Sequence, residues 1–153
     1  MPLITLTTRT SFEENPKLAK PASKLRSLLA SIEEKEIPVS IEGKINEIIT
    51  GANDFPGPDP LLIKQIKVAQ TSILKLLEKE LSIFPKNHFQ QQWMILGMTV
   101  FGLPMGVVFG MSLGNLAFLG IGLPIGMAIG IAVGNSKDKE VEKEGRQLDW
   151  EST

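Results

Sequence analysis

The chain has no cysteine, no tyrosine and a single histidine, His88. The missing thiols exclude disulfides, thiolate nucleophiles and sulfur metal sites together. No histidine pair, no Gly-Lys-Ser/Thr phosphate loop and no His-Glu-x-x-His is present, so no enzymatic activity, cofactor or metal is expected. Glu33, Glu34 and Glu36 cluster on one short stretch and read as a solvated helix face. With 16 basic and 17 acidic residues the net charge is −1, which offers no basic excess for holding nucleic acid. Met1–Thr10 lacks a basic start, a long apolar run and a small-residue cleavage site, which predicts no cleaved signal. The largest gap is in charge: between Lys86 and Lys137 there are 50 consecutive residues without Asp, Glu, Lys or Arg.

That gap is filled by apolar residues and glycine. One bilayer crossing needs about 20 apolar residues to cover ~30 Å of hydrocarbon, so residues 91–135 predict two crossings. The expected helices are Gln92–Leu113 and Leu116–Asn135, joined by a turn around Ser112–Ala117 where Gly114 and Asn115 stand. Lys75, Lys79 and Lys86 precede the tract, Lys137, Lys139, Lys143 and Arg146 follow it, and the turn carries no charge. The positive-inside rule then predicts a cytoplasmic (inner) membrane protein with both termini cytoplasmic. Phe89, Trp93, Lys86, Lys137 and Lys139 are the expected residues of the membrane interface.

An internal repeat runs through the tract. Phe101–Asn115 aligns without gaps on Ile121–Asn135 at an offset of 20 residues. Both copies carry glycine at every fourth position: Gly102, Gly106, Gly110 and Gly114, then Gly122, Gly126, Gly130 and Gly134. Residues four apart form one stripe on a helix, and glycine lets backbones approach closely where apolar surface gains nothing by leaving lipid. A second line of small residues, Gly120, Pro124, Ala128 and Ala132, marks another face of the second helix, suited to homo-oligomerisation. Pro104 and Pro124 free the carbonyls of Val100 and Gly120 and predict a kink in each helix, either a fixed bend or a hinge. The two Gly-Leu-Pro-x-Gly-xxx-Gly-xxx-Gly-Asn copies resemble those of the glycine-zipper membrane proteins of bacteria, and this resemblance implies tight membrane packing without naming an activity.

Outside the tract the patterning is that of a small soluble helical domain. Residues 1–20 read as extended or loosely ordered. Leu25, Leu28, Leu29 and Ile32 predict an amphipathic helix over Pro21–Glu36, ended by Pro38. Ile41, Ile45, Ile48 and Ile49 predict a second, capped by Ser40 and closed by Gly51. Asp59-Pro60 opens a third, running to about Phe84 with Leu62, Ile66, Ala69, Ile73 and Leu76 on one stripe. The expected fold is all-α: a cytoplasmic three-helix bundle over 21–84, a transmembrane hairpin with glycine-zipper packing over 91–135, and a charged cytoplasmic tail over 136–153.

Two functions fit this organisation. One is a self-assembling membrane protein that forms a pore or perturbs the membrane. The other is a non-conducting anchor that presents residues 17–84 to a protein partner. The few polar groups in the tract, Thr99, Ser112 and Asn115, supply no acid, base or histidine for an ion path.

Overall fold

The computed structural model describes residues 2–7, 12, 15–115, 117 and 119–151. The chain is mostly helical and divides into two compact units, one of residues 1–83 with 148–150, the other of residues 84–147 with 151–153.

Among the described residues the first unit has three long helices, α1 (Pro16–Glu33), α2 (Val39–Asn53) and α3 (Asp59–Leu81). Each buries one aliphatic stripe. Leu18, Leu25, Leu28 and Ile32 of α1, Ile45 and Ile49 of α2, and Ile66, Ile73 and Leu77 of α3 are fully buried. Burial of such side chains contributes about 1.5–3 kcal/mol each relative to exposure, which is what holds helices of this length together in water.

Several boundaries differ from the sequence reading. α1 starts before Pro21, at Pro16, because the Asn15 side chain accepts the Lys17 N–H at 3.1 Å and caps it. Pro21 then sits inside the helix. Gly51 does not close α2, which runs two residues further to Asn53. The cap of α2 is Pro38 rather than Ser40, and α3 has Pro58 as its cap with Asp59 in the first turn. α3 stops at Leu81, ahead of Pro85, because Ser82 turns left-handed at φ 52° and Ile83 N–H bonds back to the Leu77 carbonyl.

The larger correction concerns the two ends of the chain. Residues 2–7 are neither helix nor strand, yet Leu6 is buried in the core of this unit. The tail is not a purely solvated flank either: Leu148 and Trp150 are 1% and 5% exposed in the same core. The Trp150 indole N–H donates to the Lys24 carbonyl and to Ser27 Oγ, both at 3.1 Å. Period-two alternation in Gln147–Glu151 is the sequence signal for this, since it places Leu148 and Trp150 on one face of a strand.

The second unit contains β1 (Phe84–Lys86), a long helix over His88–Ser112, α6 (Leu119–Lys143) and the paired residues of β2 (Gln147–Glu151). The long helix consists of α4 (His88–Gly97), a π-helical turn (Met98–Gly102) and α5 (Leu103–Ser112). β1 and β2 run parallel, with Phe84 opposite Gln147 and Lys86 opposite Glu151. α6 runs beyond Asn135 through the mixed-charge run to Lys143, and Gly145 follows its end at φ +70° with Arg146 N–H returning to the Val141 carbonyl. Residues 1, 8–11, 13–14, 116, 118 and 152–153, including Leu116 at the expected start of the second helix, lie outside the described residues.

Candidate membrane-facing helix pair

The long helix and α6 pack antiparallel along glycine. Gly97, Gly102, Gly106 and Gly110 of the first and Gly122, Gly126, Gly130 and Gly134 of the second are all buried. A methyl group at Gly122 would meet the carbonyl of Gly102 and the backbone of Gly106; at Gly126, Gly97 and Gly102; at Gly130, Trp93 and Met94; at Gly134, Phe89 and Gln90. In every case the obstacle is main chain, which no rotamer change removes. Gly97, Gly102 and Gly106 lie against Gly122, Gly126 and Gly130, and Gly134 lies against the backbone of Phe89 and Gln90, so contact is possible only in the absence of side chains.

Two of these placements differ from the even four-residue spacing. Gly114 is in the turn after α5, exposed, at φ +64°, with open space around its Cα, and takes no part in the packing. Its place at the other end is taken by Gly97, five residues before Gly102. The π-helical turn explains the extra residue: the Leu103 N–H donates to the Met98 carbonyl, five back rather than four. In an unbroken α-helix Met98 would face α6; the inserted residue rotates Met98 aside and brings Gly97 into the seam. Pro104 follows directly and has no N–H for the Val100 carbonyl. Pro124 lies within a continuous α6, and both prolines face outward.

The seam ends in a charge. Stepping by four from Gly134 reaches Asp138, which is 7% exposed. Its carboxylate accepts the N–H groups of Phe89 at 3.0 Å and Gln90 at 2.9 Å. These belong to the first turn of α4, whose orphan donors and positive dipole end favour an anion. Asp138 thus fixes the register of the two helices at one end, a role that its place in a mixed-charge run did not disclose.

The expected interface residues gather at this same end. The Lys137 ammonium lies 5.7 Å from the centre of the Trp93 ring. Phe84, His88 and Phe89 cluster in tilted and edge-to-face contacts with ring centres 4.9–5.2 Å apart, and His88 hydrogen-bonds to Gln92. Lys86 and Lys139 line a polar cleft of about 380 Å³ together with Asn135, Glu142 and Glu151.

Many of the large apolar side chains of this unit point the other way. Ile95 and Val108 are 61% exposed and Met111 76%, with Val100, Phe101, Leu103 and Ile121 close behind. The Thr99 hydroxyl is satisfied within its own helix, donating to the carbonyls of Ile95 and Leu96 at 3.1 Å. Among the described residues one helix, His88–Ser112, has the length and apolarity to cross a membrane; its 25 residues reach about 37 Å at 1.5 Å each. Gly120, Pro124, Ala128 and Ala132 are also exposed, so the second small line faces away from the first helix. No protein-family model, curated protein or solved structure matches the chain.

Proposed function

We propose that the helix pair inserts in a lipid bilayer as a hairpin and anchors the three-helix bundle to one membrane face, with both termini in the cytoplasm of a bacterial cell. The observation that carries this reading is the inversion between the two units. In the bundle leucine and isoleucine are inside; in the helix pair glycine is inside while valine, isoleucine, phenylalanine and methionine are outside. Water penalises that arrangement at about 25 cal/mol per Å² of apolar surface left exposed, and hydrocarbon removes the penalty. The rim of Trp93, Phe89 and lysines supports the same placement.

The absence of native cysteine makes the test direct. Single cysteines are introduced as Ser82→Cys, Asn115→Cys and Ser136→Cys, and a membrane-impermeant maleimide is applied to sealed vesicles of known orientation. Asn115→Cys is expected to label from one side only, Ser82→Cys and Ser136→Cys from the other. Labelling of all three from one side, or release of the chain by alkaline carbonate, would discard the hairpin.

A second reading, self-association, is favoured by the exposed line of Gly120, Pro124, Ala128 and Ala132. The glycine stripes are occupied within the chain, so this line is the surface left for a second copy. Ala128→Leu with Ala132→Leu is expected to reduce the mass of the detergent-solubilised particle, detergent subtracted, to that of one chain. A wild-type particle that is already a single chain removes this reading and leaves the anchor. A pore would need such an assembly, and its test is dye leakage from liposomes carrying a verified oligomer.

A further inference from the structure

We infer that the outer face of α3 is a docking surface for the anionic headgroups of a lipid leaflet. The inference rests on the hairpin reading, in which α4 enters the bilayer and residues 82–87 tether α3 to it. Between Asp59 and Glu78 the helix has no acidic residue and three lysines, Lys64, Lys67 and Lys75. At 3.6 residues per turn their spacing keeps all three within about 80° of the helix circumference. All three are exposed, and among the described residues none of them is in an ion pair. Two aliphatic side chains share the face. Leu61 is 52% exposed and Val68 49%, and Val68 lies in a groove of about 320 Å³ lined by the same three lysines.

A helix face that merely meets water mixes the two signs of charge. The end of α6 is of that kind, with Lys137, Lys139 and Lys143 interleaved by Asp138, Glu140 and Glu142. The outer face of α3 holds one sign over most of its length. α2 and its C-cap hold the other, with Glu42, Glu47 and Asp54 against Lys44. The bundle is therefore polarised, and α3 is its helix nearest in sequence to the bilayer entry.

A basic stretch just outside a transmembrane helix is drawn to the negative surface of a leaflet within a Debye length, about 8 Å at physiological salt. Flexible lysine stems let the ammonium groups reach phosphates while Leu61 and Val68 enter the headgroup layer. Each lysine multiplies the ratio of docked to undocked chain by about fivefold, so three together contribute about a hundredfold. A soluble acidic partner offers the same charge. The leaflet alone is already tethered to the face by the chain, at a high local concentration.

The experiment puts the environment-sensitive fluorophore NBD on single cysteines of the full-length chain in nanodiscs. The discs are of phosphatidylcholine, with or without phosphatidylglycerol, and carry a nitroxide quencher on the headgroup. The probe at Val68→Cys is expected to be quenched in anionic discs and not in neutral ones, and to be released at 1 M salt, where the Debye length falls to about 3 Å. Adding Lys64→Gln, Lys67→Gln and Lys75→Gln, which keep good helix formers at exposed positions, is expected to lower the docked-to-undocked ratio about a hundredfold. A probe at Glu47→Cys on α2 is expected to stay unquenched. Val108→Cys, read with the nitroxide on the acyl chain, reports the hairpin separately. Three results overturn the docking face and leave the hairpin standing: quenching at Val108 without quenching at Val68, equal quenching at Glu47 and Val68, or quenching at Val68 that ignores salt and the lysines. Salt-sensitive quenching at Val68 with none at Val108 upholds the face and overturns the hairpin. Quenching at neither overturns both.

Discussion

Gly130→Ala is expected to force apart the helix pair, although it adds one methyl group. The new Cβ would overlap the Trp93 carbonyl oxygen and lie 2.8–2.9 Å from the Trp93 carbonyl carbon and Met94 Cα. Because these are backbone atoms, relief comes only from moving a whole helix, and overpacking of this kind costs about 3 kcal/mol, the upper end of the usual range. Moving the helix also loosens the neighbouring contacts at Gly126 and Gly134. Titration of the folded fraction in mixed micelles with increasing SDS reads the effect as a lower midpoint. Gly120→Ala is the matched control, since nothing lies within 4 Å of its added methyl, and its midpoint should not fall. Equal midpoints for the two variants would mean that the seam is not a tight contact. Membrane insertion should survive both changes, because an alanine is as apolar as the hairpin requires.

Trp150→Ala is expected to destabilise the three-helix bundle by about 3–5 kcal/mol, the range for removing a buried tryptophan. The side chain is 5% exposed and its indole N–H is shared between the Lys24 carbonyl and Ser27 Oγ. Urea denaturation followed by far-UV circular dichroism measures the loss. Trp150→Phe keeps most of the buried area and gives up the hydrogen bonds, so it should cost about 1–2 kcal/mol. If Trp150→Ala changed stability by less than about 0.5 kcal/mol, the end of the chain would behave as the solvated flank that its charge suggests.

Both effects bear on what could be read from residues in order. The aliphatic stripes of the bundle were legible because a 3.6-residue period in Leu25, Leu28, Leu29 and Ile32, or in Leu62, Ile66, Ala69 and Ile73, is a local property. The glycine period was legible for the same reason. Gly114 was read both ways, its spacing matching the stripe and its place beside Asn115 marking the turn, and the left-handed φ of +64° decides for the turn. Gly97 was missed because it is out of step by one residue, and only the π-helical turn of Met98–Gly102 corrects the step.

Asp138, Leu148, Trp150, Asn46 and Asn53 share a different reason. Each works on a partner 42 to 126 residues away or in a core assembled from distant helices. A carboxylate in a mixed-charge run and two asparagines on a helix, which accept the Ile4 and Thr7 N–H groups, have no distinguishing local pattern. The alternation that places Leu148 and Trp150 on one face of a strand does not say which core that face joins. By itself, then, the sequence determined the helical character of the chain, the position of its uncharged apolar tract and the two small faces of the second apolar helix, because composition and periodicity encode these directly. The tertiary structure alone decided which small face is buried, which glycine joins the seam, which carboxylate locks it, and how both ends of the chain return to the bundle. Those outcomes depend on backbone approach and hydrogen-bond satisfaction between segments far apart in the chain, and no local period records them.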